Sequence, residues 1–318
     1  MTTLLTAVPA AAHPQGRRRH RPVRTKGPSL LSFTRSGVAL PALSLVLAGC
    51  SAALPGGTAT ETGAGAALGH VHDLALNPGD GLVYAATHQG LYALDGGEAA
   101  PVGETRYDTM GFTVQGPDTF LASGHPGPGR EGPGNLGLLI STDAAGSWSE
   151  VSLGGVSDFH ALTTVGARLY GLDSSTGTVR RSDDGGATWV EGAAIAARDL
   201  DAHPIDPDRV VATTAEGLMA SDDGGATFTL GDGQPPEPLV VIDHLPAATG
   251  GAVVGLDAAG VAWRSAPTGW VSSGPPNGAP AAFTAVDEET YLGAFDGTVL
   301  LKSEDRGESW QPILDGVR

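Results

Sequence analysis

Ser141-Thr-Asp143-Ala-Ala-Gly-Ser147-Trp148 is one of four copies of a short phrase that decides the fold of this chain. The other copies are Ser182-Asp-Asp184-Gly-Gly-Ala-Thr188-Trp189, Ser221-Asp-Asp223-Gly-Gly-Ala-Thr227-Phe228 and Ser303-Glu-Asp305-Arg-Gly-Glu-Ser309-Trp310. Their starts lie 41, 39 and 82 residues apart, and 82 is twice 41. A period of about 40 residues indicates a protein built from repeated structural units.

Short β-branched and apolar runs precede each phrase, and turn residues separate them. In one repeat these runs are His160–Leu162, Leu169–Leu172 and Gly177–Val179, and a fourth run opens at Trp189. Such runs are typical of β-strands. Six repeats align in this way, although the first has lost the phrase and the fifth keeps only a shortened form, Ser265–Trp270. Four strands in each of six repeats predict an all-β, six-bladed β-propeller over residues 70–316.

The phrase resembles the Asp-box of bacterial-neuraminidase-repeat β-propellers. In such a turn the Asp side chain accepts hydrogen bonds from nearby backbone N–H groups, and Gly permits a positive φ. The aromatic residue is expected to pack within or between blades. The sequence therefore assigns a structural role, and not a catalytic one, to the four box carboxylates, Asp143, Asp184, Asp223 and Asp305.

The first 49 residues have the composition of a secretory signal. They contain seven of the 18 Lys and Arg residues and no acidic residue, and an apolar run from Gly37 to Ala48 follows the basic part. This run is too short to span a bilayer but is typical of a signal peptide. It ends in Leu47-Ala-Gly-Cys50, which resembles a bacterial lipobox. We therefore expect a lipoprotein signal peptide at 1–49 and a lipid anchor on Cys50, followed by an Ala/Gly-rich linker that ends at residue 69.

The strongly acidic composition of the chain excludes some classes of binding partner. Residues 50–318 contain 11 basic and 35 acidic residues, a net charge of −24. Such a surface repels nucleic acid and attracts cations, so the chain is not expected to bind nucleic acid. We expect a monomer that is tethered to a membrane in the bacterial cell envelope, outside the cytoplasm.

Histidines cluster in the first three repeats. In a propeller, the entrance of each first strand and the exit of each second strand lie on one face, opposite the boxes. The candidate ligand or metal residues on that face are His70, His72, His88, Asp108, Met110, His125 and His160. Neutral imidazoles bind Cu or Zn, and a thioether favours Cu(I). An alternative is that these polar residues only bond nearby backbone groups.

Segments around these histidines, His70–Leu74, Asp108–Phe112 and Asp158–Leu162 among them, resemble a family of bacterial propeller lipoproteins that is usually labelled glycosyl hydrolase. The resemblance implies an envelope location and, less directly, sugar hydrolysis. A glycosidase needs two carboxylates about 5–10 Å apart, and the candidates near first-strand entrances are Asp73, Asp108, Asp158, Asp199 and Asp243. A sialidase would also need an arginine clamp, for which the chain offers Arg106, Arg130 and Arg198 without the sialidase pattern.

A second resemblance is to Asp-box propellers that act as assembly factors for membrane complexes, which are binding platforms without chemistry. The sequence therefore favours a lipid-anchored propeller that binds a protein or small-molecule ligand through its His-rich face. Glycoside hydrolysis and transition-metal binding remain open as alternatives.

Overall fold

A computed structural model describes residues 68–127, 129 and 131–315. The expected signal, Cys50, most of the linker and Arg130 lie outside the described residues. The described part forms six four-stranded antiparallel sheets, which confirms the predicted all-β, six-bladed propeller. Within it there is one short 3₁₀ helix, Ala247–Thr249. No helix of the described residues is long and apolar enough to cross a membrane.

Each blade is a meander of four consecutive strands. Blade 1 consists of β1 (Val71–Leu76), β2 (Val83–Thr87), β3 (Gly90–Asp95) and β4 (Glu98–Pro101). Blade 2 consists of β5 (Asp108–Gly116), β6 (Thr119–His125), β7 (Leu138–Ser141) and β8 (Ser149–Ser152). Blade 3 consists of β9 (Phe159–Val165), β10 (Arg168–Asp173), β11 (Thr178–Ser182) and β12 (Val190–Ala194).

Blade 4 consists of β13 (Ala197–Ala202), β14 (Val210–Thr214), β15 (Gly217–Ser221) and β16 (Thr229–Leu230). Blade 5 consists of β17 (Leu239–His244), β18 (Val253–Asp257), β19 (Ala262–Ala266) and β20 (Gly269–Ser273). Blade 6 consists of β21 (Pro280–Ala285), β22 (Tyr291–Phe295), β23 (Val299–Ser303) and β24 (Gln311–Pro312).

The ring closes by packing between blades 6 and 1, because every sheet is complete within its own repeat. One apolar cluster joins Leu74 of β1 to Leu292 of β22 and to Leu314. Leu68 belongs to this cluster and is fully buried, so the packed core begins two residues before the expected boundary at residue 70. Two backbone hydrogen bonds accompany it, from Val71 N to Gly297 O and from Asp315 N to Gly97 O.

The four phrases that define the repeat have the same hydrogen bonds. In the turn between β11 and β12, Ser182 Oγ donates to Asp184 Oδ1 at 2.8 Å and accepts from Gly186 N at 2.8 Å. Asp184 in turn accepts from both the backbone N and the hydroxyl of Thr188. The equivalent Ser and Asp of the other three phrases make the same contacts. These bonds lower the pKa of Asp184 and Asp223 to about 2.

A β-bulge interrupts the first strand of every blade at the same place. In blade 1, Val71 pairs with Thr87 and Asp73 pairs with Ala86, so His72 has no partner across the sheet. A bulge bends its strand and redirects a side chain. The six bulged residues, in blade order, are His72, Met110, His160, Arg198, Val240 and Ala281.

Candidate functional site

A polar cavity of about 680 Å³ fills the centre of the propeller, and the first strands of the blades line it. His70, His72, Met110 and His160 lie on its wall, as does Arg198 on the side of blade 4. Five of the six bulged residues, all except Val240, therefore line the cavity. Three of them in succession, in blades 1 to 3, carry side chains that can bind a metal.

Three of the candidate residues converge where blade 1 meets blade 2. His72 Nε2 lies 3.2 Å from His88 Nδ1, and His88 Nδ1 lies 2.7 Å from Asp108 Oδ1. One ligand atom from each of the three residues can be chosen so that all three lie within 4.8 Å of one another. We call His72, His88 and Asp108 the first triad. Two imidazoles and one carboxylate are a common ligand set for divalent transition metals.

His88 Nδ1 is the crowded atom of the first triad. A ring nitrogen carries either one proton or one lone pair, so it can be a donor or an acceptor but not both. If Nδ1 donates to Asp108, it has no lone pair for His72, and if it accepts from His72, its lone pair faces a carboxylate oxygen. A cation between the three atoms would use all the lone pairs at once. Bonds of about 2.0–2.1 Å to one ion set neighbouring ligand atoms about 3.0–3.4 Å apart. The 3.2 Å between His72 and His88 lies in this range, whereas the 2.7 Å between His88 and Asp108 is a hydrogen-bond distance that would have to lengthen when an ion binds.

Burial keeps His72 neutral and therefore able to bind a metal. The pKa of His72 is lowered to about 4, first by desolvation and then by the nearby His88 and His70 rings. The His70 ring stands edge-on to that of His72, with centroids 4.9 Å apart, and its own pKa is lowered by burial, His88 and Arg198. His70 thus adjoins the first triad, with its Nδ1 close to Gly297 of blade 6.

The remaining candidates form a second group where blade 2 meets blade 3. His125 Nε2 and His160 Nε2 lie 3.4 Å and 2.8 Å from the same oxygen, Oδ2 of Asp158. Asp158 is only 6% exposed, and its Oδ1 is buried without a hydrogen-bond partner. Burial raises the pKa of Asp158, but hydrogen bonds from His160 and Ser174 outweigh it, and the pKa is lowered overall. Asp108 links the two groups, because its Oδ2 lies 3.4 Å from His125 Nδ1.

All seven candidates thus lie at one end of the propeller, across three adjacent blades. The sequence did not single out Asp158 as a metal ligand, although it holds the second group together. The signal was available, since Asp158 precedes its bulged residue by two positions, as Asp108 and His70 precede theirs. Recognising it required the positions of the bulges, which only the strand pairing reveals.

Three of the carboxylates that are candidates for a glycosidase pair instead accept backbone hydrogen bonds from the adjacent blade. Asp199 Oδ2 accepts from Ile242 N of the next blade at 2.9 Å, and Asp243 Oδ2 accepts from Ala285 N of the next blade at 2.9 Å. Asp73 likewise accepts a backbone hydrogen bond from Phe112. These acids face the central cavity while protein surrounds them, and desolvation raises the pKa of all three, to about 7 for Asp199. They tie adjacent blades together.

The arginines are also engaged with the backbone. Arg106 Nη1 donates to the carbonyls of Val102, Gly103 and Thr105. Arg198 Nη2 lies 3.3 Å from the carbonyl of Ala281, across the cavity mouth. Arg130 lies outside the described residues, so the arginine clamp of a sialidase is not assembled by the arginines that are described.

Comparison with known proteins supports the fold. No protein family and no curated protein matches the sequence. Three solved structures are similar to it: YCF48 bound to D1 peptide, the GH74 xyloglucanase from Xanthomonas campestris, and the nidogen/laminin complex. Identities are 17%, 21% and 11%, TM-scores are 0.50, 0.50 and 0.55, and the alignments cover 77%, 78% and 72% of this chain. They cover 81%, 45% and 91% of the other chains, so this chain spans less than half of the xyloglucanase.

Proposed function

We propose that this protein binds a divalent transition-metal ion at the first triad and does so as a lipid-anchored propeller of the bacterial envelope. The observation that carries the metal site is the crowding at His88 Nδ1, which faces a ring nitrogen at 3.2 Å and a carboxylate oxygen at 2.7 Å. A metal ion is the simplest partner for three such atoms. Zn²⁺, Co²⁺ and Ni²⁺ accept this mixture of ligands.

The net charge of residues 50–318 supports the same function. A charge of −24 raises the local concentration of cations around the propeller. Within the first triad, His72 lines the central cavity and His88 is exposed, so a hydrated ion reaches the ligands without any movement of the fold. Three protein ligands also leave positions open on the ion for water or for a further ligand from the cavity.

Titration of the metal-stripped full chain in detergent with Co²⁺ tests the site. We expect one equivalent of Co²⁺ to remain after desalting, with a visible spectrum of nitrogen and oxygen ligation. His88→Ala should abolish retention. The matched control is His203→Ala, which removes a histidine that follows the far end of β13 and should leave retention unchanged. Equal retention by the wild type and His88→Ala would overturn the proposal.

Membrane attachment rests on the sequence and has its own test. We expect the mature protein to fractionate with membranes when it is expressed in a bacterium that processes lipoproteins. Cys50→Ala should release it into the soluble extracytoplasmic fraction, because a single amphiphilic anchor is lost. Membrane association of Cys50→Ala as strong as that of the wild type would contradict anchoring through this residue.

Partner capture is a second candidate function, favoured by an apolar groove between blades 4 and 5. Ala197, Pro238 and Leu239 line this groove at the same end of the blades as the bulges. YCF48, whose fold is similar, has been solved with a D1 peptide bound. A photo-crosslinker at Ala258 in cells should label one partner, and Ala215→Glu should abolish the labelling. A crosslinker at the outer-strand residue Val190 serves as the control.

Glycoside hydrolysis has the least support. Asp73, Asp199 and Asp243 bond the backbone of adjacent blades, and Asp108 and Asp158 are paired with histidines. A glycosidase pair must instead face a sugar ring from two sides. The xyloglucanase among the similar structures shares the fold, over 45% of its length.

A further inference from the structure

His125 contacts the carboxylate oxygen of Asp108 that does not face His88. Asp108 and His125 are direct partners across the β5–β6 pair. Side chains of directly paired residues project from the same face of a sheet, with Cβ atoms about 4.5–5.5 Å apart. Asp108 accordingly directs Oδ1 to His88 Nδ1 at 2.7 Å and Oδ2 to His125 Nδ1 at 3.4 Å. The carboxylate ligand of the first triad therefore has a histidine at each oxygen.

The other ring nitrogen of His125 contacts a second carboxylate, which belongs to blade 3. His125 Nε2 lies 3.4 Å from Asp158 Oδ2. The same oxygen of Asp158 accepts from Ser174 Oγ at 2.5 Å and lies 2.8 Å from His160 Nε2. Asp158 is almost fully buried, so the surrounding protein fixes its position. The His125 ring is thus held between two carboxylates before any ion binds.

Imidazoles and carboxylates alternate along a row that crosses three blades. From blade 1 to blade 3 its members are His72, His88, Asp108, His125 and Asp158. In blade 4 the positions equivalent to Asp108 and His125 hold Ala196 and Ala215. Because the propeller repeats in all six blades, the fold itself does not require this row. Its continuity with the first triad indicates a role at that site.

We propose that His125 is a positioning residue of the metal site, which keeps Asp108 a monodentate ligand of the ion. The inference rests on the proposed function, because the first triad must bind an ion for His125 to act on it. With Oδ2 held by His125, Asp108 offers only Oδ1, and the triad supplies two nitrogens and one oxygen. A carboxylate without such a restraint can bind an ion through both oxygens and raise its coordination number. Residues that orient a metal ligand typically change affinity about 10–100-fold.

This restraint makes His125 a determinant of metal specificity. Zn²⁺ is bound in four-coordinate, tetrahedral sites, and Co²⁺ reports such a site through its visible spectrum. Mn²⁺ prefers oxygen ligands in an octahedral arrangement, which a bidentate Asp108 would approach more closely. His125 therefore keeps the first triad selective for Zn²⁺ and Co²⁺ over Mn²⁺.

The test compares substitutions at His125 that keep, move or remove a hydrogen-bond donor. An Asn amide nitrogen is as many bonds from the backbone as His Nδ1, and a Gln amide nitrogen is as many as His Nε2. His125→Asn thus keeps a donor for Asp108, His125→Gln places it toward Asp158, and His125→Ala removes it. The His125 side chain is 38% exposed, so we expect all three variants to fold.

Co²⁺ and Mn²⁺ affinities are measured by competition with a chelating dye. Every protein is the full chain with Cys50→Ala, because a free thiolate binds metal ions. We expect His125→Ala and His125→Gln to weaken Co²⁺ binding about tenfold or more and to lower the ratio of Co²⁺ to Mn²⁺ affinity. Their Co²⁺ absorption bands should lose intensity, because a higher coordination number weakens these bands. His125→Asn should match the parent protein in all three measurements.

His203→Ala is the control, because it removes a histidine beyond the far end of β13 and should leave affinity, ratio and spectrum unchanged. Equal Co²⁺ affinity of His125→Ala and its parent would overturn the role of His125 and leave the first triad standing. Co²⁺ binding by His125→Asn as weak as that of His125→Ala would do the same, and so would an unchanged ratio of Co²⁺ to Mn²⁺ affinity. Failure of the parent protein to bind Co²⁺ would overturn both proposals.

Discussion

The acidic side chains of this propeller have different hydrogen-bond partners, and the position of each residue along its strand determines which partner it has. Asp108 and Asp158 precede the bulges of their strands and contact histidines. Asp199 and Asp243 follow the bulges and accept backbone N–H groups of the next blade. The distinction decides which carboxylates could hold a metal ion. The inner acids are structural ties whose protonation depends on pH.

Asp199 gives the first prediction, which concerns stability. Desolvation raises its folded-state pKa to about 7, supported by the charge of Asp201 and opposed by the Ile242 N–H and Arg198. The unfolded chain has an ordinary carboxyl pKa near 4, so between about pH 4 and pH 7 the folded state binds more protons. The free energy of unfolding should therefore fall, through this group, as pH rises across that window.

Asp199→Asn removes this titration. Asp199 accepts from Leu200 N and Ile242 N with its two oxygens, and Asn keeps only one of these acceptors. The variant should therefore be less stable than the wild type at pH 5, but the gap between them should narrow by pH 8. Urea unfolding at both pH values measures it. Asp222→Asn, at a highly exposed position, is the control and should show the same small difference at both pH values. A gap that stays constant for Asp199→Asn would show that burial does not control this carboxyl.

At the scale of a residue, the sequence predicted the histidine cluster but not its internal arrangement. Aligning the repeats was enough to assign His72, His88 and Asp108 to one face. The alternation His70-Val71-His72-Asp73-Leu74 would place Val71 and Leu74 on opposite faces of a regular strand. Both are nonetheless buried, at 0% and 1% exposed, because the bulge at His72 reverses the alternation. Local sequence propensity does not predict such a bulge, so the contacts of the first triad could not be predicted from the sequence.

At the scale of an element, the box turns fix how strands three and four of a blade connect. The second prediction is that Ser182→Ala destabilises the protein by about 1–3 kcal/mol, because the Gly186 N–H would be left buried without its acceptor. Urea unfolding measures the change. Co²⁺ binding should stay at the wild-type level, since this turn is at the opposite end of the blade from the first triad. Weakened Co²⁺ binding would contradict that separation.

The third prediction concerns the hairpin of β5 and β6, which carries Asp108 and His125. Between them lies Gly124, with φ of +145° and with a hypothetical Cβ only 2.0 Å from the Asp108 carbonyl oxygen. Gly124→Ala must therefore push the two strands apart at the site. We expect it to weaken Co²⁺ binding about tenfold or more, in the range of losses caused by misplaced metal ligands.

Gly116→Ala is the control for that hairpin, because nothing lies within 4 Å of a Cβ at Gly116 and its φ is negative or extended. It should leave the affinity for Co²⁺ unchanged. If Gly124→Ala bound Co²⁺ as tightly as Gly116→Ala, the pairing of β5 with β6 would not position Asp108 for the ion. The strands themselves were predictable from composition, but this close approach of two backbones was not, because it depends on a contact between non-adjacent residues.

At the scale of the whole molecule, the propeller closes without a blade that combines strands from both ends of the chain. Each sheet comes from one continuous repeat, so the join between blades 6 and 1 has no covering strand and depends on side-chain packing and the two backbone bonds at Val71 and Asp315. The sequence predicted six blades from its period. It did not predict the closure, since the period is the same for a ring closed by a shared strand and for one closed by packing.

Leu68 provides the test of this closure. It precedes β1, is fully buried, and packs in the cluster that contains both Leu74 of blade 1 and Leu292 of blade 6. Leu68→Ala should lower the free energy of unfolding by about 2–5 kcal/mol, the range for a Leu removed from a core. Leu230→Ala, at a position 54% exposed, should change it by no more than about 0.5 kcal/mol. If urea denaturation gave the two variants equal midpoints, packing before β1 would not hold the ring closed. A large loss at Leu68 alone would mean that a residue assigned to the linker by the sequence is part of the packed propeller.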